Sequence, residues 1–262
     1  MNISRDLDFD CTMCGKCCHG LRVPLTVSEA LAWLGRGHDV QILCEALPWP
    51  EEPAADNQQA LHKRRRSFAV MSGSLPTRIV VILTGAFASP CPNLQPDMRC
   101  GIYDERPLVC RIYPAEISPF VELSPRDKSC PPEAWKPGLP PLMRGGTLVD
   151  ATTAALIRQS RETDVQDVPA KQLLCEQLGI DTAAVSNEGF TVFSPRREDL
   201  LAVLRGIRSA PALPKAQQRG WRYASRRRAT VDVLASVGAL GVHVEGDEDA
   251  AFEYVGFSAG EG

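Results

Sequence analysis

The chain has 262 residues, of which 44% are hydrophobic, so it can bury a substantial core without covalent cross-links. Its first ten residues include three aspartates and no apolar stretch, which is not the pattern of a secretory signal, and no later run approaches the ~20 apolar residues of a membrane span. A formal net charge of -3 gives no overall attraction to nucleic acid or anionic lipid. We therefore expect a cytoplasmic protein without a membrane anchor, whose cysteines serve chemistry rather than disulfide bonding.

Two segments in the first third of the chain carry clear local signals. Thr26 and Glu29 have the spacing of a capping box, which predicts a short helix that carries Ala30, Leu31 and Leu34 inward. The run from Arg78 to Leu83 is rich in β-branched residues and predicts a buried strand. That strand leads the chain towards Cys91.

A further short helix is predicted around Cys110. Asp104 and Pro107 resemble the start of a helix, with proline in the first turn. Residues 108–113 then cover about one and a half turns before Pro114 ends them. Cys110 is therefore expected to lie on this helix.

Cysteine density falls after Trp135, and helical periodicity takes over. Helices are predicted from Ala151 to Arg161, from Asp167 to Gly179 and from Ser194 through Ile207, with a short strand from Phe190 to Phe193. We therefore predict an α+β fold in which residues 1–135 form a cysteine-rich, metal-binding head of short strands and helices. Residues 136–262 are predicted to form a mostly helical C-terminal region.

Cysteine spacing is the most specific feature of the sequence. Four cysteines lie within eight residues and a looser set follows; the two sets are Cys11, Cys14, Cys17 and Cys18, and then Cys91, Cys100, Cys110 and Cys130. Two intervening residues let the backbone turn around an ion, so three sulfurs of the first set can converge on one centre. The eight thiolates permit two tetrahedral sites, or one four-iron cluster with a second metal or spare thiols.

The identity of the metal is open between iron and zinc. The Cys-x2-Cys-x2-Cys start also opens the cysteine run of bacterial ferredoxins, whose last cysteine is followed by proline. Cys91 and Cys130 are both followed by proline, which favours a 4Fe-4S cluster over zinc. Cys17 and Cys18 are adjacent, and neighbouring side chains normally point apart, so they serve different centres or only one of them is a ligand.

Three other residues have sulfur or nitrogen atoms that could bind a metal, but we predict other roles for them. Cys44 and Cys175 lie among apolar residues and are predicted to be small core residues, because free cysteine is among the most buried residue types. His19 is predicted to be a polar neighbour of the site, because eight thiolates already suffice.

Arg106 and Arg111 flank Cys110 and are the candidate cofactor-binding residues. They could pair with a substrate carboxylate or offset the negative charge of a thiolate centre. The alternative is a surface ion pair with Asp104 or Glu105. Tyrosines near Cys110 could donate hydrogen bonds to sulfur, and aromatic packing is the competing interpretation.

The stretch from residue 205 to 228 is basic and contains Trp221 and Tyr223. Arginine contacts phosphate and aromatic rings stack on bases, so this pattern is compatible with a nucleic-acid surface. The acidic residues that follow favour a solvated or internally paired face instead. Nucleic acid is therefore not the expected partner.

The cysteine motifs resemble a known bacterial family. They read Cys11-x2-Cys14-Gly15-Lys16-Cys17-Cys18, then Cys91-Pro92, then Cys100-Gly101-Ile102-Tyr103-x2-Arg106-Pro107-Leu108-x-Cys110-Arg111-Ile112-Tyr113-Pro114, then Cys130. This pattern resembles the cysteine-cluster family of zinc- or iron-chelating proteins, which is labelled by its Cys-x2-Cys-x2-Cys-Cys motif and includes flagellin lysine N-methylase. The resemblance implies that the eight cysteines are the metal-binding set. It also implies an iron-sulfur cluster and S-adenosylmethionine-dependent methyl transfer as the best-defined activity of the family.

Three functions follow as expectations. The first is a metal-binding protein that holds an iron-sulfur cluster or zinc, with possible use as an iron-sulfur oxidoreductase that meets a redox partner. The second is an S-adenosylmethionine-dependent lysine N-methyltransferase acting on a flagellin-like protein; no Gly-x-Gly-x-x-Gly loop follows a strand, so the donor would bind an iron left open by three cysteines. The third is a structural zinc module for partner binding.

Overall fold

The structure of the protein is a computed structural model, which describes residues 6–19, 22–88, 90–210, 220–246, 248–249 and 251–257. In chain order the strands are β1 (Leu7–Asp8), β2 (Val23–Leu25), β3 (Asp39–Pro48), β4 (Ser67–Ser72), β5 (Leu75–Ala86), β6 (Pro141–Arg144), β7 (Thr147–Leu148), β8 (Thr182–Val185), β9 (Gly189–Phe193), β10 (Arg222–Ser225), β11 (Gly241–His243), β12 (Glu248–Asp249) and β13 (Phe252–Gly256). The helices are α1 (Val27–Gly35), α2 (Gln58–Arg65), α3 (Leu108–Ile112), α4 (Ala151–Gln166), α5 (Val168–Gln177), α6 (Arg197–Ser209) and α7 (Arg228–Ser236). The fold is therefore mixed α and β, as predicted at that level.

The chain divides into two compact units, each built from two separate stretches of sequence. The first unit contains residues 1–25 and 86–163, and the second contains residues 26–85 and 164–262. Both cysteine sets fall in the first unit, whereas Cys44 and Cys175 fall in the second.

The first unit has little regular structure and a small apolar core. Strand β1 pairs antiparallel with β6, and β6 pairs with β7, to form a small sheet. Helices α3 and α4 contribute one buried apolar cluster, which consists of Leu108, Ile112, Leu156 and Ile157. Long loops and single 3-10 turns connect these elements, and the cysteines lie mainly in them.

The second unit is organised around a mixed sheet. Its strands follow the order β11-β10-β8-β3-β9-β13-β12, and β5 pairs with β3 and β4. Strands β3, β8, β10 and β11 are parallel neighbours, whereas β9 is antiparallel to β3 and β13. Helices α1 and α5 both contact α6. Side chains such as Ile42, Leu174 and Leu204 are fully buried in this unit and form its core.

Several local predictions are confirmed. The Thr26 hydroxyl accepts a hydrogen bond from the Glu29 N–H at 3.2 Å, and the Glu29 carboxylate accepts one from the Thr26 N–H at 2.8 Å, so the capping box starts α1. The predicted strand lies within β5, and the predicted strand at 190–193 lies within β9. Cys44 and Cys175 are 0% and 1% exposed, as expected of core residues.

The finer description of a cysteine-rich head followed by a mostly helical tail is not shown. Residues after 135 supply α4, α5 and α6, which lie close to the three predicted helices, but they also supply α7, which was not predicted, and β6 to β13. All eight of these strands have only two to five residues, and except for β9 the sequence did not predict them, because such short segments give little periodic pattern. The proposed boundary near residue 135 stays a prediction.

The basic stretch is covered in part, because residues 211–219 lie outside the described residues. Trp221 and Tyr223 are buried in the second unit, so their rings are packed inside rather than exposed for base stacking. Arg228 lies 3.6 Å from Glu245, which is an ion pair between the basic stretch and the acidic residues after it. In the part of the chain covered by the structure, no helix is long and apolar enough to cross a bilayer.

Candidate metal centre

The first cysteine set surrounds a tight turn. Residues Lys16–Cys18 form one turn of 3-10 helix, and Gly15 before it has a φ of 70°, in the left-handed region that favours glycine. The Cys18 N–H donates to the Gly15 carbonyl at 2.9 Å, and a ring nitrogen of His19 lies 3.1 Å from the same oxygen. His19 is therefore a polar neighbour of this turn, and its role beside a metal stays a prediction.

Cys91 and Cys100 stand at the two ends of a hairpin-like loop. The Leu94 N–H donates to the Cys91 carbonyl at 2.9 Å, and Leu94 and Cys100 form an antiparallel bridge. The Cys91 N–H donates to the Cys18 carbonyl at 2.8 Å. This hydrogen bond joins the two cysteine sets, which are more than 70 residues apart in the sequence.

Gly15 is where the turn and the hairpin approach most closely. A Cβ atom at this position would lie 2.9 Å from both the carbonyl oxygen and Cε of Met98, and 3.1 Å from Cδ1 of Leu94. No side chain fits there without displacing backbone. Sequence reasoning missed the role of Met98, and the glycine directly after Cys14 was the only signal that pointed to a close contact.

Cys110 and Cys130 reach the site from other elements. Cys110 lies on α3, which begins after Pro107, at the position the sequence predicted. Cys130 lies in a loop beside Tyr113, whose hydroxyl donates a hydrogen bond to the Cys130 sulfur and accepts one from the Ser129 N–H at 2.8 Å. The interpretation of a tyrosine as a donor to sulfur is therefore supported for Tyr113.

A hydrogen bond between the side chains of Cys17 and Cys18 shifts their pKa values in opposite directions. The Cys18 thiol donates to the Cys17 sulfur, and this bond, with smaller contributions from the charges of Arg106 and His19, lowers the pKa of Cys17 to about 6 despite partial burial. The same bond raises the pKa of Cys18, and burial and the charges of Cys17 and Cys91 raise it further. Cys17 is therefore the thiol most readily available as a thiolate.

The other shifted thiols of the site are harder to ionise. Burial raises the pKa of Cys110 to about 12, and the charges of Cys91, Cys17 and Cys100 add to this effect. Burial also raises the pKa of Cys130 to about 11, against the hydrogen bond from Tyr113. A positive ion at the site would reverse this trend, because a metal stabilises the thiolates that it binds.

Arg106 lies beside the thiols. Its Nε donates to the Tyr103 carbonyl at 2.8 Å, and its guanidinium stacks 3.6 Å from the centre of the Tyr103 ring. Its charge lowers the pKa of both Cys17 and Cys110. Arg111 is exposed on α3. Of the two candidate arginines, Arg106 is the one whose charge lowers the pKa of thiols in the site.

The chemistry of the donor set fits zinc and iron, which bind thiolate sulfur well. All eight cysteines of the two sets are free thiols in one compact unit. Within the described ranges, no three His, Cys, Asp or Glu side chains already stand close enough to ligate one ion. A shared metal therefore requires the loops to draw their sulfurs together, and the ligand assignment stays a prediction.

The acidities predict a strong order of reactivity in metal-free protein at pH 7. Cys17, with a pKa of about 6, is mostly thiolate, whereas Cys110 and Cys130, with pKa values of about 12 and 11, are almost entirely protonated. We expect iodoacetamide to alkylate Cys17 at least ~10-fold faster than either of them, since the thiolate is the nucleophile. Site-resolved mass spectrometry measures the three rates; lowering the pH from 7 to 5 should slow Cys17 by about tenfold.

The segment that contains the cysteines is similar to one known protein family. Residues 10–131 match the family model CxxCxxCC, described as "Putative zinc- or iron-chelating domain". No curated protein and no solved structure matches the chain significantly. The matched segment contains both cysteine sets and Arg106. The similarity to the CxxCxxCC family therefore covers residues 10–131, the segment that carries all eight cysteines of the two sets.

Proposed function

We propose that the first unit is a metal-binding domain in which thiolates of its eight cysteines hold iron or zinc. One observation carries the proposal: all eight lie in this unit as free thiols, and the charges of the thiolates act on one another across sequence separations of up to about 120 residues. The two cysteines of the second unit are buried in its core instead. Packing in the core therefore accounts for Cys44 and Cys175. We assign the other eight cysteines to metal chelation.

An iron-sulfur cluster, preferentially 4Fe-4S, is the finer form of this proposal. It is supported by the Cys-x2-Cys-x2-Cys start and by the prolines after Cys91 and Cys130. A cation beside the thiolates also suits a centre with net negative charge, and Arg106 supplies one. Bound iron and sulfide would add electron transfer to a redox partner in the cytoplasm, while zinc would make the domain a structural module for partner binding.

S-adenosylmethionine-dependent methyl transfer to a lysine of a flagellin-like protein is the enzymatic alternative, and the family resemblance alone supports it. Ligation of a cluster by Cys11, Cys14 and Cys17 would leave one iron free for the amino and carboxylate groups of the donor. The spacing counts against radical chemistry, since radical enzymes usually place three and then two residues between their cysteines. Binding of S-adenosylmethionine to the purified holoprotein, measured by equilibrium dialysis, tests this alternative directly.

Anaerobic purification followed by metal and sulfide counting tests the proposed function. Iron with acid-labile sulfide in stoichiometric amount would support the cluster, and zinc without sulfide would support the structural module. A protein that contains neither iron nor zinc, and that takes up neither when reconstituted, would overturn metal binding altogether.

Removal of the Arg106 charge is expected to weaken metal binding. Arg106→Gln takes away a cation that stabilises the thiolates of Cys17 and Cys110, and outer-shell changes of this kind cost about tenfold in metal affinity. Competition with a chromophoric chelator measures the zinc affinity. Arg106→Lys should restore most of the loss, because it keeps the charge.

Arg111→Gln is the matched control for this substitution. It removes the same charge one residue after Cys110, but from an exposed side chain whose effect is screened by water and salt. Equal losses of affinity in Arg106→Gln and Arg111→Gln would show that net charge matters rather than the position of Arg106.

A further inference from the structure

We propose that Cys44 and Cys175 form a disulfide bond when a low-molecular-weight disulfide reaches them, and that this bond fixes α5 on β3. Both residues lie in the second unit, apart from the eight cysteines of the first. The inference is therefore independent of metal binding by the first unit. It assigns a reaction to the two cysteines that the proposed function does not use.

The two side chains meet in the core of the second unit. Cys44 lies on β3 and Cys175 on α5, and their thiols are in hydrogen-bonding contact. A disulfide forms without backbone movement only between cysteines whose side chains are close and directed at each other. This pair meets that condition, although about 130 residues separate its members in the sequence.

Backbone hydrogen bonds hold both cysteines in place. The Cys44 carbonyl accepts a hydrogen bond from the Thr191 hydroxyl at 3.3 Å, and the same two residues pair in the ladder between β3 and β9. The Cys175 carbonyl accepts one from the Ile180 N–H at 2.8 Å. The contact between the thiols is therefore made by a strand and a helix that are fixed in the core.

Burial keeps the pair reduced while the second unit is closed. Cys44 and Cys175 are 0% and 1% exposed, so a small disulfide cannot touch either sulfur. Burial also raises the pKa of Cys44 well above its ordinary value, and the contact with Cys175 adds to the rise. Since the thiolate is the attacking species, exchange has to wait until this unit opens locally.

Opening requires α5 to move away from β3, and buried polar contacts oppose that movement. Lys171, near the start of α5, is 4% exposed and forms an ion pair with Asp164 at 2.5 Å. Asp167, just before the helix, accepts a hydrogen bond from the Val27 N–H at 2.8 Å. The open state is therefore sparsely populated, and oxidation is expected to be slow without a denaturant.

The exchange proceeds in two balanced steps. The thiolate of one cysteine attacks the sulfur–sulfur bond of the small disulfide, forms a mixed disulfide and releases one small thiol. The second cysteine then attacks the protein sulfur of the mixed disulfide and displaces the other small thiol. Two cysteines are oxidised and one small disulfide is reduced to two thiols, which take up the two protons that the cysteines lose.

Oxidised glutathione is the probe for the bond. The reduced full-length chain is incubated with it, with and without a urea concentration below the unfolding transition, then alkylated and digested without reduction. Mass spectrometry should find peptides linked through Cys44 and Cys175, formed at least ~10-fold faster in urea, which raises the open population. Separate glutathione adducts on the two cysteines, links to the first unit instead, or equal rates with and without urea would overturn the proposal.

Thermal unfolding of the second unit measures whether the bond fixes α5. Closing a loop of about 130 residues should raise its midpoint by about 10 °C in oxidised wild-type protein relative to reduced protein. Cys175→Ala undergoes the same oxidation in the first unit but cannot form the bond, so its midpoint should not rise. An equal shift in both proteins would contradict a role for the bond; Cys44→Ala replaces the variant if circular dichroism shows that Cys175→Ala does not fold.

Discussion

Removal of bound metal is expected to open the first unit. We expect a chelator to raise amide hydrogen exchange in residues 6–19 and 90–135 by at least ~1,000-fold, because binding energy of a structural metal, on the order of 10 kcal/mol, acts as folding energy. The apolar cluster of α3 and α4 in this unit has four buried side chains, which is a small core for the length of the unit. Exchange followed by mass spectrometry, with and without chelator, measures the effect.

Strands β3 and β9 provide the internal reference for that experiment. They lie in the sheet of the second unit, and Ile42 and Val192 on them are buried in an extensive core that needs no metal. Their amides should exchange at similar rates in both states. Equal protection of residues 6–19 and 90–135 with and without metal would contradict a structural role for the metal.

Gly15→Ala is expected to reduce zinc affinity by at least ~10-fold. The new methyl group would lie 2.9 Å from the Met98 carbonyl oxygen, so the turn that carries Cys17 and Cys18 must move away from the hairpin. The φ of 70° adds strain of about 1 kcal/mol for any residue with a Cβ atom. If the cysteines of the turn are held away from those of the hairpin, part of the free energy of metal binding is used to bring the loops together, and the affinity falls.

Gly37→Ala is the control that distinguishes the effect of backbone strain from the effect of moving the turn that carries Cys17 and Cys18. Gly37 also has a left-handed φ, of 85°, but a Cβ atom there would have no neighbour within 4 Å. It should lower the free energy of unfolding by about 1 kcal/mol and leave zinc affinity unchanged. Wild-type zinc affinity in Gly15→Ala would show that the contact with Met98 does not position the cysteines.

Local features of this fold could be predicted from the sequence because each is decided by a few neighbouring residues. The capping box at Thr26 and the β-branched run in β5 specify their own conformations. The order of strands around β3 could not be predicted, because it depends on pairing between short segments far apart in the chain, such as Glu45 with Ala184.

The same contrast applies to the candidate site. The spacing of the cysteines selects the candidate ligands, and proline at position 107 predicts the helix that carries Cys110. The contacts that group them, such as the Cys91 N–H with the Cys18 carbonyl, involve backbone atoms and leave no trace in residue type. The effect of Arg106 on Cys17 likewise depends on a fold that brings them together.

The division of the first unit into two stretches of sequence has a consequence for synthesis on the ribosome. Cys18 is translated about 110 residues before Cys130, with part of the second unit made in between. At 5–20 residues per second, roughly 5 to 20 seconds therefore pass between the emergence of the first cysteine set and that of Cys130, the last of the eight proposed ligands. During that interval the thiols of the first set are open to oxidation or to the wrong ion, so delivery of the correct metal has to be timed to the end of the nascent segment rather than to its beginning.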